Sequence, residues 1–131
     1  MLVQVESSLT CFLASLIIIL VTIFLFTLVT RYNDWKEIAE GNVAAALALG
    51  GKVLGVSNII RFAVLSNHSV TDTIFWGILG AVLLIIVYLL FEWLTPKLNV
   101  NREIASGNVA VGALSMVFSV AVSFVIGASI S

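Results

Sequence analysis

Residues 8–30 read SLTCFLASLIIILVTIFLFTLVT, an apolar run that no charged side chain interrupts. A helix rises ~1.5 Å per residue and the hydrocarbon core of a bilayer is ~30 Å thick, so about 20 such residues suffice to cross it. Backbone amides find no water in that core, and only a helix satisfies them within a single segment. Three further runs follow. The second covers 43–65 and carries Lys52, Asn58 and Arg61; the third covers 74–94 and is closed by Pro96; the fourth covers 108–130. Pro96 lacks the amide donor that continuing a helix requires. The predicted fold is therefore an all-α integral membrane protein of four transmembrane helices.

Composition leads to the same solvent. Of 131 residues, 61% are hydrophobic and 10% charged, whereas a water-soluble domain carries about 25% charged residues. Little of this sequence remains to build an extramembrane catalytic domain. Six Lys/Arg stand against seven Asp/Glu with no basic patch, which excludes nucleic acid as the expected partner. Cys11 is the single cysteine and lies within the first apolar run, where it reads as a small apolar residue. The single His68 has no second His or Cys nearby, so no zinc site is expected. With no nucleophile–base pair, metal cluster or phosphate loop, the sequence offers no catalytic, cofactor-binding or metal residues, and an enzyme is not expected. The opening Met-Leu-Val-Gln-Val-Glu has no positive charge and its apolar run is longer than a signal peptide's, so the first segment should remain as a helix.

Lys/Arg bias in short loops sets orientation. Arg31 and Lys36 fall between the first two runs, Lys97 and Arg102 between the last two, and only Arg61 lies toward the other side. Loops 31–42 and 95–107 are thus expected in the cytoplasm, with both termini outside. Tyr32, Trp35 and Trp93 would then sit at the inner interface, and Phe75 and Trp76 at the outer one.

Residues 31–44 (RYNDWKEIAEGNVA) align without a gap on residues 97–110 (KLNVNREIASGNVA), 66 positions later. The same offset lays the first apolar run on the third and the second on the fourth. Two units are expected, 1–65 and 66–131, each of two helices and in parallel orientation about a pseudo-twofold along the membrane normal. Asp34 with Glu37 three residues on has the spacing of a capping box that would open a short interfacial helix. Gly41 can take the left-handed conformation that ends it, and Asn42 can cap the next helix. Gly107 and Asn108 repeat the device. Two readings of Asn42 and Asn108 stand side by side. They are helix caps only, or they face each other near the pseudo-axis and form a polar vestibule.

The polar residues of the second helix have no counterparts in the fourth: Lys52, Asn58 and Arg61 align with Phe118, Phe124 and Gly127. Lys52 lies ten residues past Asn42, ~15 Å along the helix, and Glu92 lies ~6 Å before Pro96. A lone charge at that depth costs several kcal/mol, so the two either pair, snorkel apart to the interface, or mark an ion path. Arg61 is expected to reach lipid phosphate or Asp72. Asn67-His68-Ser69 has the form of a glycosylation sequon, a short pattern that occurs often by chance. Packing signals are more extensive. Gly51 and Gly55 form a small-residue stripe on the second helix, and Ser115, Ser119, Ser123 and Gly127 form one on the fourth. One stripe can join the units while the other serves a neighbouring subunit; alternatively, they wall a narrow polar pore.

The stretch YNDWKEIAEGNVAAALALGG at 32–51 resembles the bacterial inner-membrane family called domain of unknown function 350, or uncharacterised protein family 0719, whose domain occurs in pairs. Lys52 departs from the small or apolar residue expected between Gly51 and Gly55. The resemblance implies an inner-membrane protein whose genes neighbour those of phage-shock-type stress proteins and polyamine-related enzymes, and hence a role in envelope maintenance or stress. The leading expectation is a small non-enzymatic membrane component needing no cofactor, with the lipid bilayer as its surroundings, a homo-oligomer or a subunit of a larger membrane complex. The rival is an ion channel or small-solute transporter with a polar path along the second helix through Asn42, Asn108 and the level of Lys52 and Glu92. A small multidrug-type exporter fits poorly, because the first helix has no embedded carboxylate.

Overall fold

The computed structural model describes residues 1–67 and 69–131. The readings that fall on His68, a lone histidine and the middle of a sequon, lie outside them. Among the described residues, six helices follow in order: α1 (Leu2–Val29), α2 (Asp34–Ala39), α3 (Val43–Ser66), α4 (Val70–Leu94), α5 (Val100–Ala105) and α6 (Val109–Ile130). Of these, α1, α3, α4 and α6 are long and apolar enough to cross a membrane. The helices α2 and α5 have six residues each and lead into α3 and α6.

Two spans start earlier than their apolar runs. No Pro or Gly separates Leu2 from Ser8, so α1 extends back to Leu2 and takes in Glu6. At α4 the start is set by Ser69, whose hydroxyl accepts from the Asp72 amide at 3.1 Å, while the Asp72 carboxylate sits favourably in the first turn of the helix dipole. The interfacial caps also differ from expectation. Asn33, not Asp34, caps α2, its Oδ1 accepting from the Lys36 amide at 3.1 Å. Asn99 caps α5 from a left-handed conformation, φ 47°, which asparagine tolerates. Asp34 is thereby released from capping, and its carboxylate accepts from the Thr30 hydroxyl at 2.6 Å, tying the start of α2 to the end of α1.

The turns into α3 and α6 are built identically. Gly41 and Gly107 have φ of 89° and 90°, a conformation that costs other L-residues ~1–2 kcal/mol. Each turn closes with a pair of bonds that satisfy the last carbonyls of the short helix. Gly41 donates to Ile38 O at 3.0 Å and Asn42 to Glu37 O at 2.9 Å; Gly107 donates to Ile104 O at 3.0 Å and Asn108 to Glu103 O at 2.9 Å. Asn42 Oδ1 then caps α3 by accepting from Ala45 N at 3.1 Å, and Asn108 Oδ1 caps α6 by accepting from Val111 N at 3.3 Å.

The α3–α6 pair is the most extensive helix contact of the bundle. Its closeness is legible at the glycines. A Cβ on Gly51 would lie 2.5 Å from Met116 Cα, and one on Gly112 would lie 2.5 Å from Ala44 O. On Gly55 it would meet Ser119 O at 3.1 Å, and on Gly127 it would collide with the Phe62 ring. Apolar burial gives little drive in lipid, so such backbone approach, with its dispersion contacts, is what holds the pair together. The expectation that one small-residue stripe stays free for a neighbouring subunit is thus overturned: both stripes face each other inside one chain, with Ser115, Ser119 and Ser123 fully buried. The peripheral helix is α1, which buries only Thr22 and Phe26 and packs on α3 and α4.

Candidate functional site

Midway along α3, where α1, α4 and α6 enclose it, Lys52 has no route to solvent along its own side chain. Lys52 is 0% exposed and, among the described residues, its Nζ has no hydrogen-bond partner. The ammonium lies over two aromatic faces, 4.2 Å from the Tyr88 centroid and 5.3 Å from the Phe26 centroid. Phe26 and Tyr88 meet edge to face at 5.9 Å, so α1 and α4 together form a corner that the cation occupies. Ring quadrupoles attract a cation and are worth up to about 2 kcal/mol when desolvated, but they accept no conventional hydrogen bond. Tyr88 is held by its hydroxyl, 2.7 Å from that of Ser115 on α6. Three helices therefore fix the Lys52 site.

The acidic groups whose charge reaches Lys52 are Asp34 and Glu92. Neither closes on it. Asp34 is 1% exposed, with Oδ2 bonded to Thr30 and Oδ1 unbonded. Glu92 accepts instead from Asn101 Nδ2 at 3.4 Å. Tyr32 OH, Asn101 Oδ1 and Ser119 Oγ are also buried without partners among the described residues. Burial first, and the nearby Asp34 carboxylate second, push the Tyr32 phenol up, so it keeps its proton. Beside this group, toward α5, lies a cleft of about 360 Å³ whose polar lining is Arg31, Glu92, Asn99 and Asn101. A buried unbonded polar group costs about 1–3 kcal/mol. Such groups inside a membrane bundle are able to hold water, a proton or a small ion.

The remaining sequence candidates are placed as follows. Asn42 Nδ2 donates to Glu37 Oε2 at 3.1 Å and crosses to the end of α5, reaching Ile104 O at 2.8 Å and Ala105 O at 3.3 Å. Asn108 Nδ2 donates to Glu103 Oε2 at 2.9 Å. Both amides are thus engaged in holding the two turns, one of them across the two halves. Asn58 donates to Ser123 Oγ at 3.1 Å, another link between α3 and α6. At the position matching Lys52, Phe118 stacks on Phe91 at 4.3 Å, so the corresponding place in the second half is aromatic and uncharged. Sequence reasoning had Lys52 and Glu92 but missed Asp34, Phe26, Tyr88 and Ser115 as their surroundings. Two signals were available: Tyr88 stands one turn before Glu92, and Asp34 is an acid inside a loop read for its basic residues.

Four apolar helices around an internal polar centre define a polytopic, non-barrel membrane protein. The chain belongs to the family Domain of Unknown Function (DUF350), which it matches over residues 1–130. It is similar to UPF0719 transmembrane protein YshE of Bacillus subtilis (strain 168), 46% identical over 105 residues that cover 80% of this chain and 78% of that protein. It is also similar to UPF0719 inner membrane protein YjfL of Escherichia coli (strain K12), 27% identical over 99 residues, 73% of this chain and 75% of that protein. These names give a membrane location and no enzymatic activity. No solved structure matches the chain.

Proposed function

We propose that this is a small non-enzymatic protein of the bacterial inner membrane that handles ions, protons foremost, at the Lys52 centre on α3. The observation that carries this reading is the wholly buried, unbonded Lys52 ammonium flanked by Asp34 and Glu92. Ionisable groups are rarely kept inside a bundle without a partner unless a substrate, water or proton meets them there. Asn42 and Asn108 serve this site as fixed turns beneath it, and Gly51, Gly55 and the α6 serines hold α3 rigidly against α6. The two halves, 1–65 and 66–131, are read as copies about a twofold along the membrane normal, supported by their matched glycine turns and asparagine caps. The basic loops 31–42 and 95–107 are placed in the cytoplasm, which sets the Glu92–Asn101 cleft on that side.

Purified protein in liposomes carrying a pH-sensitive dye tests the reading. Wild type should dissipate an imposed proton or alkali-cation gradient, and Lys52→Leu should abolish most of that flux. Flux equal to empty liposomes under every gradient sinks it.

A second reading is that of an envelope component acting through self-association. It is supported by α1, whose apolar length is left almost unburied by its own chain. Cross-linking through cysteines placed on α1 in native membranes should then trap a dimer or higher species; only monomer at every position would count against it.

A further inference from the structure

At the end of the bundle opposite α2 and α5, a second cleft of about 570 Å³ opens between α1, α3 and the start of α4. Among the described residues, its only charged lining residue is Arg61. The hydroxyls of Ser7, Ser8, Ser15 and Ser57 also face it, and none makes a hydrogen bond to a described residue. That contrasts with Thr10 on the same helix, whose hydroxyl donates to Glu6 O at 2.9 Å. The Arg61 guanidinium rests 5.5 Å from the Phe62 centroid, an arrangement that leaves its planar donor edge available. Ser69 and Thr73 bring the first turn of α4, with its positive dipole end, to the same wall. Glu6 and Asp72 are the acids nearest in sequence, and neither lines the cleft. The cleft's apolar lining includes Phe12, Ile60, Val64 and Leu65.

From this we infer that the cleft binds a phosphoryl oxyanion, with Arg61 as the principal donor and Ser15 and Ser57 as hydroxyl donors. Arginine is suited to this ligand because its planar fork donates two parallel bonds to two phosphate oxygens. Arg61 lies five residues before the end of α3, ~7.5 Å along the axis, which places it close to the interfacial level where lipid phosphates sit. The apolar lining then takes the adjoining glycerol and first acyl carbons if the phosphate is that of a lipid, or is left to the bilayer if it is free. Sequence alone gave Arg61 a choice between snorkelling and Asp72; the structure gives it a cavity with donors from α1 and α3 beside the first turn of α4. This site stands apart from the Lys52 centre and does not depend on its function.

Cys11, the single cysteine of the chain, lines the same cleft and is a built-in reporter. The rate of its modification by a small maleimide can be followed in detergent while phosphatidylglycerol, phosphatidylcholine or inorganic phosphate is added. Occupancy should slow wild-type labelling at least fivefold. Arg61→Gln and the double variant Ser15→Ala, Ser57→Ala should label quickly whatever is added, and Arg61→Lys should retain part of the protection. Protection by either phospholipid without inorganic phosphate assigns the ligand as a lipid headgroup; protection by inorganic phosphate assigns a free oxyanion. Labelling that none of the three slows, or that slows equally in Arg61→Gln, overturns the inference. Equal elution of wild type and variants on gel filtration separates loss of the site from loss of the fold.

Discussion

Lys52→Met should make the protein more stable and less active. A lysine held at mid-bilayer depth costs about 2.5–3.5 kcal/mol on insertion scales, and no acceptor among the described residues bonds Lys52 Nζ. The faces of Tyr88 and Phe26 return roughly 1–2 kcal/mol of that. The balance leaves a native cost of about 1–2 kcal/mol, which methionine removes while keeping an unbranched chain that fills the same space. Unfolding by SDS titration, followed through tryptophan fluorescence, should therefore show Lys52→Met stabilised by about 1–2 kcal/mol, with liposome flux lost in the same sample. Stability retained against function is the signature of a group kept for its chemistry. A loss of more than about 1 kcal/mol would refute the reasoning, because it is the result expected when a buried charge is well paired.

Replacing Gly112 by Leu should split the α3–α6 pair and cost at least the ~1–3 kcal/mol of an overpacked core, since even a Cβ there meets Ala44 O at 2.5 Å; SDS titration reads it directly. Gly41→Ala meets no atom within 4 Å and should cost only the ~1–2 kcal/mol of its left-handed backbone, so the two glycines separate contact from conformation. Asn42→Ala should destabilise by about 1 kcal/mol more than Asn108→Ala, because Asn42 also holds the carbonyls of Ile104 and Ala105; equal losses would remove the cross-link between halves from the account. Single cysteines at 35 and 101, in a background lacking Cys11, should react with an impermeant thiol reagent only after the membrane is opened; labelling of intact cells would reverse the orientation.

Much of the architecture was legible in the residues because lipid leaves the backbone few alternatives. Apolar length gave the four spans, and Gly41-Asn42 with Gly107-Asn108 gave the turns. The helix starts were less legible, since α4 begins at a Ser69 cap that lies before its apolar run. Choosing Asp34 over Asn33 as the cap failed because both residue types cap well, and only the Thr30 hydroxyl, just past the end of α1, decides between them. Pairing of the two small-residue stripes was not legible, because periodicity shows that a face is small and not what it meets. Lys52 shows the same boundary at the site. Its depth followed from counting residues, but its neighbours Tyr88 and Phe26 come from two other helices, and Asn101 from beyond Pro96 engages Glu92 instead.

The central claim is that Lys52 stays inside the bundle against the Tyr88 and Phe26 rings and does not snorkel to the interface. Solid-state NMR of the protein in lipid bilayers, with ¹⁵N-lysine and ¹³C-labelled aromatic residues, tests it most directly. The account predicts a lysine Nζ signal that correlates with the Tyr88 and Phe26 ring carbons and disappears in Lys52→Met. A Lys52 signal correlating with lipid phosphate or bulk water, with no contact to either ring, would contradict it.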